Sequence, residues 1–143
     1  MIEYINNNNQ IISIIIRTNF NSDGIKFFTP DDFSQQLAYM NRERGYTIPP
    51  HVHNPVDRKV SLTQEVLFIK SGKVRVDYYN DEKKYLESRI LNIGDVVLFS
   101  GGGHGFTMIE KSEIIEVKQG PYSGEQDKTR FEPINDKDLN IKQ

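Results

Sequence analysis

The chain contains three histidines, and two of them, His51 and His53, are separated by one residue. Residues i and i+2 of an extended strand project from the same face, so this spacing predicts two imidazoles side by side, turned either inward or to solvent. Two converging imidazoles are half of a typical metal site. Glu65 opens the next apolar run, Val66 to Ile69, and His104 opens another directly after Gly101, Gly102 and Gly103. In an extended strand Phe106 and Met108 share the face of His104, which predicts that this face points inward. His51, His53, Glu65 and His104 are therefore the candidate ligands of one divalent metal ion. Imidazole and carboxylate serve Fe, Mn, Ni and Zn alike, so the donor types do not choose among them.

Each of these residues also has a plainer reading. A lone histidine is more often structural or solvated than ligating, and a carboxylate at a strand edge ordinarily faces water. The argument for metal rests on the set. Arg42 and Arg44 are candidates for holding an anionic substrate, because a guanidinium matches carboxylate or phosphate in bidentate fashion; solvated surface charge is the simpler account. Tyr39 and Phe106, with Tyr46 and Phe99, could line a substrate pocket or be ordinary core. The glycine triplet invites comparison with a phosphate loop, but such loops end in Gly-Lys-Ser/Thr ahead of a helix. None follows here, and a tight turn fits.

The elements that must position these residues read as short strands rich in β-branched and aromatic residues: 11–17, 35–40, 45–52, 65–69, 73–79, 85–91, 95–99, 104–109 and 113–117. Turn-forming residues separate them at Asn19 to Gly24, Ser71-Gly72, Asn80-Asp81, Asn92 to Gly94 and the glycine triplet. Charged and apolar residues alternate along 73–79, which predicts that Val74, Val76 and Tyr78 share one buried face. One brief helix is expected at Pro30-Asp31-Asp32, capped by Thr29. The asparagine tract Asn6 to Asn9 reads as the turn of an N-terminal hairpin, whose apolar second strand would need covering, for example by a second subunit. The expected class is all-β, a small antiparallel barrel, divided into an N-terminal β arm (1–34), the barrel (35–122) and a polar tail (123–143). The tail is expected to be a surface strap or partly disordered.

Composition narrows the function further. Among 143 residues there is no cysteine, which excludes disulfides and thiolate chemistry, while eight Phe and seven Tyr can fill one modest core. A net charge of −2 without basic blocks argues against nucleic acid as a partner. Glu3 and the asparagine tract precede an apolar run too short for a signal peptide or a bilayer span. The chain is thus expected to be cytoplasmic, with a small-molecule ligand, no membrane partner and a two-fold homodimer as the default assembly.

The spacing of these residues resembles the two-part motif of the cupin superfamily. Gly45 is followed by five residues and then His51-Val52-His53, and Glu65 by six residues and then Gly72. Both intervals match the family. The gap from His53 to Glu65 is longer than usual, and residues 54–64 read as an inserted loop. Gly94-Asp95 and His104 follow the order of the second part, with Ser100 where proline is usual and Met108 in place of a common asparagine. The resemblance covers about residues 37–119 and implies a jelly-roll barrel, or double-stranded β-helix, with a metal near one end. Residues 118–131 also look like the tails of single-domain cupins associated with bacterial surface polysaccharides, which implies a sugar or sugar-nucleotide substrate. The metal would act as a Lewis acid in isomerisation or epimerisation, or as a redox ion in dioxygenation. The alternatives are a metal-free sugar-nucleotide isomerase or epimerase with His51 or His53 as general base, and a non-catalytic small-molecule-binding module.

Overall fold

The computed structural model describes residues 1–143. Its eleven strands are β1 (Ile2–Asn7), β2 (Gln10–Ile16), β3 (Gly24–Phe27), β4 (Ala38–Asn41), β5 (Glu65–Ser71), β6 (Val74–Tyr79), β7 (Tyr85–Leu91), β8 (Val96–Phe99), β9 (Gly103–Met108), β10 (Glu113–Lys118) and β11 (Ile141–Lys142). One sheet runs β1-β2-β8-β5-β10, a second β11-β7-β6-β9, and β3 pairs with β4 alone. All pairings are antiparallel except β11 with β7. The fold is all-β. The two larger sheets share one core but do not close into a barrel.

Asn8 and Asn9 turn the first hairpin, with Asn8 at φ 54°, a left-handed conformation that asparagine tolerates better than most residues. The isoleucine-rich β2 that follows lacks a polar alternation because both of its faces are buried. Ile12 and Ile15 enter the core between the sheets, whereas Ile14 and Ile16 meet Phe28 and Leu37 from the β3–β4 layer behind it. Ile12 has no partner across β1, and this bulge re-phases the strand. Ser13 then points into the core, where its hydroxyl donates to the Leu98 carbonyl (2.8 Å) and accepts from Tyr78 Oη (3.1 Å). The apolar strand expected to need a second subunit is thus covered within the chain by β1, β8 and the β3–β4 layer.

Val74, Val76 and Tyr78 face the core as their alternation predicts. Asp77 and Tyr79 on the opposite face are buried too, because the C-terminal residues return over them. Phe131 packs edge-on to Tyr79 (5.0 Å), Arg75 pairs with Asp77 and Asp136, and Ser88 donates to Asp77. The tail is thus a surface strap ending in β11. Residues 30–33 form a turn, not a helix, with Phe33 N donating to Pro30 O.

The largest departure from the expected elements is at 45–52. No regular structure forms between Asn41 and Glu65, so the strand expected there is missing. Without it, β9 and β10 are both outer strands with one free edge each. An extended sequence becomes a strand only when a neighbour satisfies its backbone groups, and here none lies alongside. No helix is long and apolar enough to cross a membrane.

Candidate functional site

Between the free edges of β9 and β10 the two sheets gape over a cavity of about 930 Å³. β5 contributes Glu65 and Leu67, β9 contributes His104 and Phe106, and β10 contributes Ile114 and Glu116. The strap closes one wall with Asp127, Arg130 and Phe131. The glycine triplet forms the rim as a tight turn. Gly102 sits at φ 62°, and a Cβ there would lie 2.5 Å from the Tyr79 carbonyl, so the position admits only glycine.

Glu65 begins β5 between Phe99 of β8 and Lys118 of β10, and it is only 8% exposed. A carboxylate this buried is costly unless it is paired. His104, carried by the opposite sheet, provides the pairing: its Nε2 lies 3.2 Å from Glu65 Oε2. Lys118 Nζ takes the other carboxylate oxygen at 3.3 Å and lies 3.6 Å from Asp127 of the strap. The hydrogen bond from His104 holds the Glu65 carboxyl below the usual carboxylate range, with Lys118 assisting, and the two outweigh the upward push of burial. Burial works to lower the Lys118 ammonium, but Glu65 and Asp127 hold it above its ordinary value. Because Glu65 is ionised, the imidazole must be the donor in the His104–Glu65 bond. Phe99 stacks on the His104 ring (4.2 Å, 25°) and fixes its orientation.

His51 and His53 lie elsewhere. Both are exposed on the segment between β4 and β5, with ring centroids 5.3 Å apart. The imidazoles are therefore side by side as their spacing predicts, although no strand forms. His51 Nδ1 lies 3.0 Å from the Pro49 carbonyl, and donating to it leaves Nε2 as a free lone pair. No three His, Asp or Glu side chains converge closely enough to hold a metal ion.

The expected ligand set thus falls into two halves. Glu65 with His104 is one, and His51 with His53 is the other. The donor chemistry suits a divalent ion. The 3.2 Å between Glu65 Oε2 and His104 Nε2 is also near the separation of roughly 3.0–3.4 Å expected for two ligands of one ion with bonds of about 2.1 Å.

Of the four residues expected to contact substrate, Phe106 lines the cavity and the other three do not. Tyr39 packs against Phe20 (5.0 Å) in the layer behind the five-stranded sheet, where an aromatic ring is needed as core. The Arg42 guanidinium stacks over the Tyr46 ring at 4.4 Å, and Arg44 is exposed near it. Asp127 lines the cavity and Lys118 pairs with it and with Glu65; the sequence singled out neither. Thr63 donates to Asp127 across 64 positions, and no local pattern encodes a contact at that distance. Neither family models, nor curated proteins, nor solved structures gave a match to this chain.

Proposed function

We propose that the cavity is a cupin-type small-molecule site, in which Glu65 and His104, joined by His51 and His53, hold one divalent metal ion. The substrate is a small polar molecule, with a sugar or sugar nucleotide as the leading class, and the reaction is isomerisation, epimerisation or dioxygenation. One observation carries this reading: Glu65 and His104, from opposite sheets, converge on the floor of the cavity. The facing arrangement of β5, β8 and β10 against β6, β7 and β9 supports a jelly-roll ancestry. A metal bound there would supply either Lewis acidity or redox chemistry.

The chain's own groups have definite tasks in this reading. Lys118 assists His104 in keeping Glu65 ionised and fixes one of its oxygens, while Phe99 sets the plane of His104. Ser61, Thr63 and Thr129 offer hydroxyls and Phe106 an apolar surface to a ligand that presents both. Metal content measured by plasma mass spectrometry on untagged protein tests the proposal. The expected result is close to one equivalent per chain, lost in His51→Ala, His104→Ala and Glu65→Gln variants that remain folded. A parent that carries no metal and cannot be loaded overturns it.

A second reading has its own support. The direct His104–Glu65 hydrogen bond is a ready acid–base pair without any metal. In a metal-free isomerase or epimerase the base is then His104, since neither His51 nor His53 lines the cavity. This reading predicts that chelation leaves activity unchanged.

A further inference from the structure

We propose that the segment between β4 and β5 pairs with the free edge of β9 in a second copy of this chain, and that the exchange is reciprocal. Each site then contains Glu65 and His104 from one chain together with the partner's His51 and the partner's His53. The inference rests on the proposed metal site for its chemistry, but the strand exchange stands on separate observations.

The first is the state of the segment. Every residue from Met40 to Leu62 is exposed, and the one backbone hydrogen bond made by residues 42–63 is local, from Tyr46 N to Glu43 O. Irregular stretches of this length are uncommon in compact domains and usually serve a function. Solvent-facing loops are also normally polar, yet this one exposes Tyr46, Ile48, Val52, Val56 and Leu62. The second is the state of the sheets. The free edges of β9 and β10 carry Phe106, Met108, Ile115 and Val117, each 38% exposed or more. An unprotected apolar edge is a template for another strand.

Segment and edge are also matched in phase. His51 and His53 share a face with Thr47 and Pro49, while Tyr46, Ile48 and Val52 share the other. On β9 the inward face carries His104 and Phe106, both packed on Phe99. Residues directly opposite in an antiparallel pair share a face. A register that sets His51 or His53 opposite His104 therefore turns both imidazoles inward and puts Tyr46, Ile48 and Val52 on the outer face, with Val52 opposite Gly105 or opposite Gly103, which lies beside the Phe131 ring of the strap. Of Pro49 and Pro50, one faces the new outer edge, where its missing N–H costs nothing, and the other forgoes a single ladder bond to β9.

The occupant is a second copy because residues 42–60 of this chain neither line its own cavity nor bond to its own β9. A two-fold pair offers two segments to the two β9 edges and pairs both. The site is then incomplete in a single chain, which accounts for the two separated halves of the ligand set.

The absence of cysteine permits a clean test. Thr107 lies on the outward face of β9, so Ile48→Cys/Thr107→Cys and Pro50→Cys/Thr107→Cys sample the two candidate registers outside the cavity. Under oxidation, at least one pair is expected to yield a covalent dimer, with the parent protein at twice the chain mass by light scattering. Disulfides that close within one chain, or a monomeric parent with neither pair forming a disulfide, overturn the exchange. The metal is tested separately by refolding His104→Ala together with His51→Ala/His53→Ala. Neither variant is expected to hold metal alone, whereas the random mixture recovers about a quarter of the parent content, because half of the dimers pair one intact body with one intact segment. No recovery from a parent that does load metal overturns the shared site. Covalent dimers from a parent that binds no metal remove the metal reading and leave the exchange standing.

Discussion

The two sides of this sandwich are built on opposite terms. On the side of β1, β7 and β11, charges are gathered inside and matched. Arg17 bonds Glu3, Asp95 and the Ile90 carbonyl, Arg89 bonds Glu3 and Glu87, and Lys142 reaches Glu87. These bonds tie the first hairpin to the second sheet through side chains. On the side of β9 and β10 the seam is open, apolar residues face solvent, and the charges that do meet surround a cavity. One side is tied together within the chain, and the other is where the proposed site and the proposed pairing fall.

The sharpest way to break this contrast is Arg17→Ala. It takes the only cationic partner from Asp95, whose side chain is 2% exposed and keeps just the N–H groups of Thr18 and Asn92, and it leaves Glu3 with Arg89 alone. Removing one partner from a buried ionic group costs roughly 3–5 kcal/mol. Urea unfolding of the variant should show a loss of that order. A loss below about 1 kcal/mol would mean that the closed side is held by its apolar packing and that the ion network adds little.

How much of this was legible beforehand follows the same division. β5 to β10 could be read because each is local: Ser71-Gly72 and Asn92 to Gly94 mark the turns, and the alternation in β6 fixes its buried face. β3 was missed because its four residues are mostly exposed and show no period. The segment 45–52 carries a strand's alternation but not its pairing, since periodicity states which residues share a face and says nothing about the neighbour. The site behaved likewise. Glu65 and His104 were identified separately from their strand positions, and the opposing sheets bring them together. Lys118 escaped notice because its place beside Glu65 is set by the pairing of β10 with β5, and Asp127 because the strap that carries it is placed by Phe131 on Tyr79 and by Arg75 on Asp136.

Acid titration separates the sides more finely. Glu65 on the open side and Glu87 on the closed side both have carboxyls held below the ordinary range. For Glu87, burial works upward and the bonds from Lys142 and Arg89 outweigh it. A depressed folded-state value means that the stabilisation is complete above the unfolded carboxylate value of about 4.3. It is then lost as the pH falls through the folded-state value. Glu65→Gln and Glu87→Gln should each cost about 1 kcal/mol near neutrality. Each difference from the parent should shrink toward zero as the pH drops below about 4. If metal loading deepens the loss for Glu65→Gln alone, the ion sits on the open side.

The smallest expected effect is the most informative about the segment. Val97 is fully buried between the sheets, and Val52 is 85% exposed on the segment. The same truncation to alanine should therefore separate the two positions. Val97→Ala forfeits packing on every side and should cost roughly 2 kcal/mol of unfolding free energy. Val52→Ala at low protein concentration should stay within about 0.5 kcal/mol of the parent, because in a single chain it touches nothing to lose. At high concentration the outcome changes if the segment pairs with a second copy, since dimer formation adds stability by mass action. The Val52 variant should then fall behind the parent as concentration rises, while the deficit of the Val97 variant stays constant. A Val52 difference that is already present at low concentration would place the segment against its own chain, and the open side would then be a closed one.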